Sequence, residues 1–231
     1  MKTIGMIGGT SWESTSEYYR IINEAVRLKK GGYHSAKILL YSVDFATIRS
    51  LSDNDDWDSI AEMLITIGKK LESAGADLLL LCANTLHKVY DPVQKELKIP
   101  VLHIADVLAK EIKKIGFTKV GLLGTRITME SEFYRKRLQE IYHIATIVPD
   151  AYHREKVSEI IFRELTQGRI LDSSREILKT ISNSLVSDGA QGIVLGCTEL
   201  PLILKSRDLK VPMFDTLLIH AASAVNFALQ K

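Results

Sequence analysis

Short apolar runs alternate with longer amphipathic segments along this chain. The apolar runs predict strands over residues 3–8, 36–43, 77–83, 100–103, 118–124, 144–148, 191–196 and 211–214. Between these runs, apolar residues recur at helical spacing, as they do at Trp57, Ile60, Ala61 and Leu64. This alternation is typical of parallel sheets covered by helices. The pattern therefore predicts an α/β fold in which mainly parallel strands are flanked by helices.

Two helix starts carry residues suited to capping. Asp55 or Asp56 precedes the helical pattern at Trp57, and an aspartate there can accept hydrogen bonds from the first backbone amides. Ser173 and Glu176 have the spacing of a capping box ahead of another apolar period. Both helices are therefore expected to begin at these residues.

Two stretches of the first half of the chain recur in the second half. The strand and glycine turn IGMIG over 4–8 resembles VGLLG over 120–124, and the glycine that precedes a buried strand at Gly75 resembles Gly189. Both repeats have almost the same separation along the chain, which indicates two homologous halves. The sequence thus predicts two pseudosymmetric domains, each a small sheet of about four strands flanked by helices.

The repeat also suggests where the halves begin and end. Residues 1–100 together with 213–231 are expected to form the N-terminal domain, with the last helix returning to it, and residues 101–212 the C-terminal domain. Ligands of open parallel sheets bind beyond the carboxyl ends of the strands. The active site is therefore expected in the cleft between the two domains.

Composition and charge narrow the class of function. The chain is 46% hydrophobic and 25% charged, as in an ordinary globular protein. Its net charge is +2, and its Lys and Arg residues form no cluster. The sequence therefore lacks the positively charged segment that is typical of nucleic-acid-binding proteins. The apolar run over 78–83 is far shorter than the ~20 residues of a membrane span, and the N-terminus lacks the pattern of a secretory leader. We expect a cytoplasmic protein that acts on a small molecule, without a nucleic-acid or membrane partner.

The two cysteines of the chain, Cys82 and Cys197, follow the two repeated strands in the segments LCANTLH over 81–87 and LGCTELP over 195–201. Two cysteines do not make a disulfide framework, and thiols in a reducing compartment stay reduced. A thiol that follows a buried strand at a helix start can serve as a nucleophile or a base, because helix N-termini favour the thiolate. Free cysteine is also among the most buried residue types, so each cysteine could instead serve only in core packing.

Four motifs carry a resemblance to a known enzyme family: IGGTSWEST over 7–15, CANTLH over 82–87, LGTRITM over 123–129 and VLGCTELP over 194–201. With these motifs, essentially the whole chain resembles the cofactor-independent aspartate/glutamate racemases. The resemblance implies an isomerase that works without pyridoxal phosphate, another cofactor or a metal, and that forms a homodimer. In this family one cysteine thiolate removes the α-proton of an amino acid, and an opposite thiol returns a proton to the other face.

The resemblance also implies roles for single residues. Cys197 matches a catalytic cysteine, and Arg49 matches an arginine that binds the side-chain carboxylate of aspartate. Arg126 and Arg163 are other candidate cations for that carboxylate. The residues implied to hold the α-carboxylate are Thr10, Asn84, Thr85, Thr125 and Thr198.

One position departs from the family pattern. The usual Cys-Asn-Thr reads Ala83-Asn84-Thr85 here, and within the internal repeat Ala83 aligns with Cys197 while Cys82 aligns with Gly196. Successive strand side chains point to opposite faces, so the Cys82 sulfur is expected to point away from the cleft unless a bulge re-aims it. We therefore predict a racemase or epimerase of acidic amino acids whose proton exchange is one-sided.

The sequence is compatible with several alternatives. A water or His87 could stand in for the missing thiol, although a histidine at a helix start also commonly bonds to backbone. Glu199 could hydrogen-bond on the Cys197 side of the site or simply complement a helix dipole. The alternative functions are a single-thiol decarboxylase or cis–trans isomerase of related fold, and an inactive carboxylate-binding homologue.

Overall fold

The computed structural model describes residues 1–230, and these form two compact units. The first unit comprises Met1–His103 together with the segment from His220 onward, and the second comprises Ile104–Ile219. Among the described residues, no helix combines the length and the apolarity needed to cross a membrane.

The first unit contains a three-stranded parallel sheet in the order β2-β1-β3. Its elements are β1 (Ile4–Gly8), α1 (Trp12–Lys30), β2 (Ile38–Ser42), α2 (Phe45–Asp53), α3 (Trp57–Ser73), β3 (Leu78–Leu81), a 3₁₀ turn (Thr85–Val89) and α4 (Tyr90–Glu96). One face of β3 packs with α3 and α4 in an apolar core cluster that includes Leu64, Leu79, Leu81, Ala83 and Val93. Burial of this continuous apolar surface is the main stabilising contribution to the unit.

The second unit contains a four-stranded parallel sheet in the order β5-β4-β6-β7. Its elements are α5 (Ile104–Lys114), β4 (Lys119–Gly124), α6 (Arg126–Glu130), α7 (Glu132–Lys136), a π-helical turn (Arg137–Ile141), β5 (Ala145–Ile147), α8 (Ala151–Arg163), a 3₁₀ turn (Leu165–Gln167), α9 (Asp172–Ser187), β6 (Ile193–Gly196), α10 (Leu200–Ile203), a 3₁₀ turn (Ser206–Asp208), β7 (Met213–Asp215) and the start of α11 (Thr216–Leu229). Ile193, Leu195 and Cys197 join an apolar cluster on one face of this sheet.

The predicted α/β architecture with two parallel sheets is confirmed, with one difference in strand number. Residues 100–103, predicted as a strand, make only an isolated parallel bridge between Val101 and Leu79, so the first sheet has three strands rather than about four. The second boundary between the two units lies between Ile219 and His220, and β7 pairs with β6 in the second unit. The last helix, α11, accordingly begins in the second unit and continues into the first.

Local signals encode one of the two expected helix starts. Asp56 is the N-cap of α3, where its side chain accepts a hydrogen bond from the Ser59 amide at 3.1 Å. The prediction for Ser173 is wrong, because α9 already begins at Asp172 and its N-cap, Leu171, makes no side-chain capping bond. Ser173 is therefore a first-turn residue instead of a cap.

Candidate active site

The carboxyl ends of β4 and β6 lie side by side in the second unit. Gly124 pairs with Gly196 at the end of the two strands, and Thr125 and Cys197 follow directly. Thr125 is the N-cap of α6, and its Oγ1 accepts a hydrogen bond from the Thr128 amide at 3.3 Å. The register thus places Thr125 and Cys197, both predicted site residues, at one edge of the sheet.

Cys197 is buried against a carboxylate. The residue is 7% exposed, and its Sγ donates a hydrogen bond to Glu199 Oε2 at 2.9 Å. The Thr198 hydroxyl donates to the same oxygen at 3.0 Å. Burial, and then the charge and hydrogen bond of Glu199, raise the pKa of the Cys197 thiol well above its usual value. The sulfur is therefore protonated at neutral pH in the free protein.

The first unit places a second set of predicted residues at the ends of β1 and β3. Thr10 follows the Gly8-Gly9 turn, and its buried Oγ1 has no hydrogen-bond partner among the described residues. Gly9 has a φ of 95°, and a Cβ there would lie 2.1 Å from the Val43 carbonyl oxygen, so this turn requires glycine. Asn84 is buried, and Thr85 begins the 3₁₀ turn that follows.

The sheet registers make Ala83 the counterpart of Cys197. Leu81 pairs with Ile7 in the first sheet, and Leu195 pairs with Leu123 in the second. Ala83 and Cys197 each lie two residues beyond these pairs, and each belongs to the apolar cluster on its own sheet face. A methyl group in the first unit therefore occupies the position that a thiol occupies in the second.

Cys82 lies between Leu81 and Ala83 in sequence, so strand alternation directs its side chain to the opposite face. Its amide donates to the Ile7 carbonyl at 2.9 Å, which continues the parallel ladder. The thiol is buried, and burial raises its pKa. These observations support a packing role for Cys82.

Three histidines are buried together behind Ala83. His87 Nδ1 donates to the Ala83 carbonyl oxygen at 3.0 Å, as expected for a histidine that bonds to backbone. Its ring centroid lies 4.7 Å from that of His103 and 5.8 Å from that of His220. His103 and His220 are distant from His87 along the chain, so no local sequence pattern predicts that the three rings lie together.

The candidate cations are on exposed surfaces. Arg49 lies on α2 with 44% of its side chain exposed, and its Nε donates to Asp53 Oδ2 at 2.7 Å. Arg126 pairs with Glu130 at 2.9 Å, and Arg163 lies 3.8 Å from Glu159. Each of these guanidinium groups therefore has a carboxylate neighbour on its own helix.

The side chains at these positions are suited to two tasks, proton exchange and the binding of an anionic group. A thiol beside a carboxylate can exchange a proton, and hydroxyls and amides at strand ends can hold an anionic group. Within residues 1–230, no cluster of three or more His, Cys, Asp or Glu side chains is arranged to hold a metal ion.

Comparison with known proteins assigns the chain to a family. The model of the Asp/Glu/hydantoin racemase family matches residues 7–224. The chain is similar over its full length to a proposed Asp/Glu racemase from Yersinia pestis, at 48% identity and a TM-score of 0.94 over the whole of both chains. It is also similar to an aspartate racemase homologue from Pyrococcus horikoshii OT3, at 39% identity and a TM-score of 0.87 over the whole of both chains.

A curated relative has a stated activity. The broad specificity amino-acid racemase RacX of Bacillus subtilis (strain 168) is 27% identical over 232 residues, which covers 96% of each protein. The chain therefore belongs to the Asp/Glu/hydantoin racemase family and is an isomerase of the amino-acid racemase class.

Proposed function

We propose that this racemase acts on acidic amino acids, aspartate or glutamate, with Cys197 as the acid/base at the α-carbon. The observation that carries the proposal is the buried Cys197 thiol at the carboxyl end of β6, hydrogen-bonded to Glu199. Removal of an α-proton needs a base that is shielded from water, and a thiolate meets this need once its proton has been accepted elsewhere.

The proposal assigns the substrate α-carboxylate to hydroxyl and amide groups at the strand ends. These are Thr10, Asn84, Thr85, Thr125 and Thr198, and the Thr198 hydroxyl would exchange its hydrogen bond to Glu199 Oε2 for one to the substrate. The buried Thr10 hydroxyl supports this role, because a buried polar atom without a protein partner is favourable only if a ligand or water satisfies it. Hydrogen bonds to the carboxylate strengthen as charge develops next to it, so they lower the barrier to proton removal.

Ala83 makes the proposed chemistry one-sided. The methyl group at the counterpart of Cys197 cannot carry a proton, so exchange is fast on the face that the thiol serves and slow on the other. A water molecule supplies the second proton in this scheme. The α-proton of one enantiomer therefore exchanges with solvent more often than the stereocentre inverts.

Arg49 is the proposed partner of the side-chain carboxylate. Its present bond to Asp53 is an exposed pair within one helix, and such pairs contribute only about 0.3–0.5 kcal/mol. A substrate carboxylate can therefore compete for the guanidinium at little energetic cost, and a bidentate contact would favour it.

Three further properties are part of the proposal. The family resemblance supports catalysis without pyridoxal phosphate and a homodimeric assembly, and the two unpaired buried thiols suit a cytoplasmic, reducing environment. Sedimentation velocity would report the mass of the assembly, and a dialysed sample without an added cofactor would report the activity.

The test is α-proton exchange in deuterated water, followed by NMR, for the Cys197→Ala and Cys82→Ala variants. Loss of the acid/base in Cys197→Ala is expected to lower the exchange rate by about 100-fold or more, the lower end of a general acid–base contribution. Cys82→Ala is the matched control, expected to retain exchange and to lose some stability through lost packing. Near-normal exchange in Cys197→Ala, with the fold intact, would contradict the proposal.

A further inference from the structure

The buried carboxylate of Glu199 lies next to Cys197, the proposed acid/base. Glu199 is 4% exposed, and its Oε2 accepts hydrogen bonds from both the Cys197 thiol and the Thr198 hydroxyl. Both donors belong to the two residues that precede Glu199, so their positions follow from the end of β6. Backbone bonds from Leu200 to the Cys197 carbonyl and from Leu202 to the Glu199 carbonyl hold this segment in a turn.

If Glu199 had only a structural role, its burial would lower the stability of the folded protein. A buried carboxylate is unfavourable unless hydrogen bonds or charge compensate its lost hydration. Here the negative charge lies beside a thiol and opposes formation of the thiolate that the proposed reaction needs. A neutral glutamine would offer a similar hydrogen-bond acceptor without that opposing charge. We therefore expect Glu199 to have a role for which a carboxylate is needed and an amide does not suffice.

We propose that Glu199 accepts the Cys197 proton when substrate binds and returns it when product leaves. The inference rests on the proposed role of Cys197 and extends it by naming where the thiol proton goes. Glu199 acts through the sulfur, so it is a positioning and proton-accepting residue and need not touch the substrate. In the free protein, the Thr198 hydroxyl donates to the same Oε2 and fixes the orientation of the carboxylate.

The proton transfers balance with Cys197, Glu199, the substrate and water. The Sγ–H bond of Cys197 breaks as an O–H bond forms on Glu199, which leaves a thiolate and a neutral carboxylic acid. The thiolate then takes the α-proton, so the Cα–H bond breaks, an S–H bond forms and the electron pair stays on Cα beside the substrate carboxylate. On the exchanging face, sulfur gives its proton, after exchange with solvent, back to Cα, and the Glu199 proton returns to the thiolate. On the inverting path, a water molecule gives a proton to Cα, the hydroxide that forms takes the Glu199 proton, and sulfur keeps the α-proton. Both paths restore the starting state. The temporary loss of the Glu199 charge also favours the thiolate beside it.

Glu199→Gln separates proton acceptance from a simple charge effect, because the two roles predict opposite results. The neutral amide removes the charge that opposes thiolate formation, so alkylation of Cys197 by iodoacetamide is expected to become faster at a given pH. The amide cannot take the thiol proton, so α-proton exchange is expected to fall by about 100-fold. If Glu199 acted only through its charge, exchange would instead rise together with alkylation.

The controls distinguish this inference from the proposed function. Glu176→Gln changes an exposed glutamate paired with Lys179 and is expected to leave exchange and alkylation unchanged. Exchange that is unchanged or faster in Glu199→Gln would overturn the inference, whereas exchange retained in Cys197→Ala would overturn the role of the thiol itself. Should Glu199→Gln fail to fold, Glu199→Asp keeps a carboxylate in the site. Exchange in Glu199→Asp that exceeds that of Glu199→Ala, together with recovery of Glu199→Ala by formate but not by chloride, supports proton acceptance, and equal exchange without recovery overturns it.

Discussion

At the scale of single residues, the proposed chemistry depends on which side chain follows each buried strand. Cys197 follows β6, and Ala83 occupies the equivalent position after β3. Two proton carriers of equal strength would give a symmetric racemase. One thiol and one methyl group make the two faces of the α-carbon unequal in the proposed mechanism.

Arg49 provides a residue-scale prediction about substrate choice. Replacement of Arg49 by glutamine removes the proposed partner of the side-chain carboxylate, so KM should rise for aspartate and glutamate with little change in kcat. Amino acids with uncharged side chains should be unaffected. Asp53→Asn, which removes the present partner of Arg49, serves as the control and should not raise KM. An equal change for acidic and uncharged substrates would show that Arg49 does not select the side chain.

Much of the candidate site follows from local sequence, and some of it does not. The internal repeat suffices to align Ala83 with Cys197. Side chains alternate between the two faces along a strand, so aligned positions of the repeat lie on equivalent faces of the two sheets. The sequence left two roles open for Glu199, a hydrogen bond on the Cys197 side or a helix-dipole interaction. The structure shows the hydrogen bond to Cys197, because a turn after the strand brings the two side chains together. His103 and His220 could not be foreseen, since their proximity to His87 arises from packing between distant segments.

At the scale of elements, apolar periodicity locates seven strands of the described structure and misassigns one run. Residues 100–103 are apolar enough for a strand, but only Val101 forms a bridge. Side-chain capping was foreseen for Asp56, where an acidic residue precedes an apolar period, and was wrong for Ser173. Spacing alone cannot decide between a cap and a first-turn residue, because the difference is a single backbone conformation.

At the scale of the whole molecule, the last helix contributes a buried histidine to the first unit. His220 Nε2 donates to the Leu102 carbonyl at 2.8 Å, so in the neutral ring Nδ1 is the acceptor of the Tyr18 hydroxyl at 2.9 Å. Burial, and then the charge of His87, lower the pKa of His220 to about 3. A neutral imidazole is therefore part of the folded first unit.

This histidine makes stability depend on pH. The folded pKa of about 3 lies below the ordinary value of 6.5, so the unfolded chain binds more protons between these two pH values. The free energy of unfolding should therefore fall as pH drops from 6.5 towards 3, by at most about 1.4 kcal/mol per pH unit from this group. Urea unfolding of the wild type and of His220→Gln at pH 7 and pH 5 would measure this change in the free energy of unfolding.

The Gln variant should be less stable than the wild type at pH 7 and lose less stability on acidification, because glutamine does not titrate. His34→Asn, at an exposed position, is the control and should follow the wild type. Parallel pH profiles for the wild type and His220→Gln would show that His220 does not cause the acid sensitivity.

The most direct test of the central claim compares α-proton exchange with inversion for each enantiomer of glutamate and aspartate, in the wild type and in Ala83→Cys. In deuterated water, the wild type should exchange the α-proton of one enantiomer several times for each inversion. A thiol at position 83 should bring exchange and inversion towards equal rates from both enantiomers. Equal rates already in the wild type, unchanged by Ala83→Cys with the fold intact, would contradict the claim that Cys197 is the single thiol acid/base.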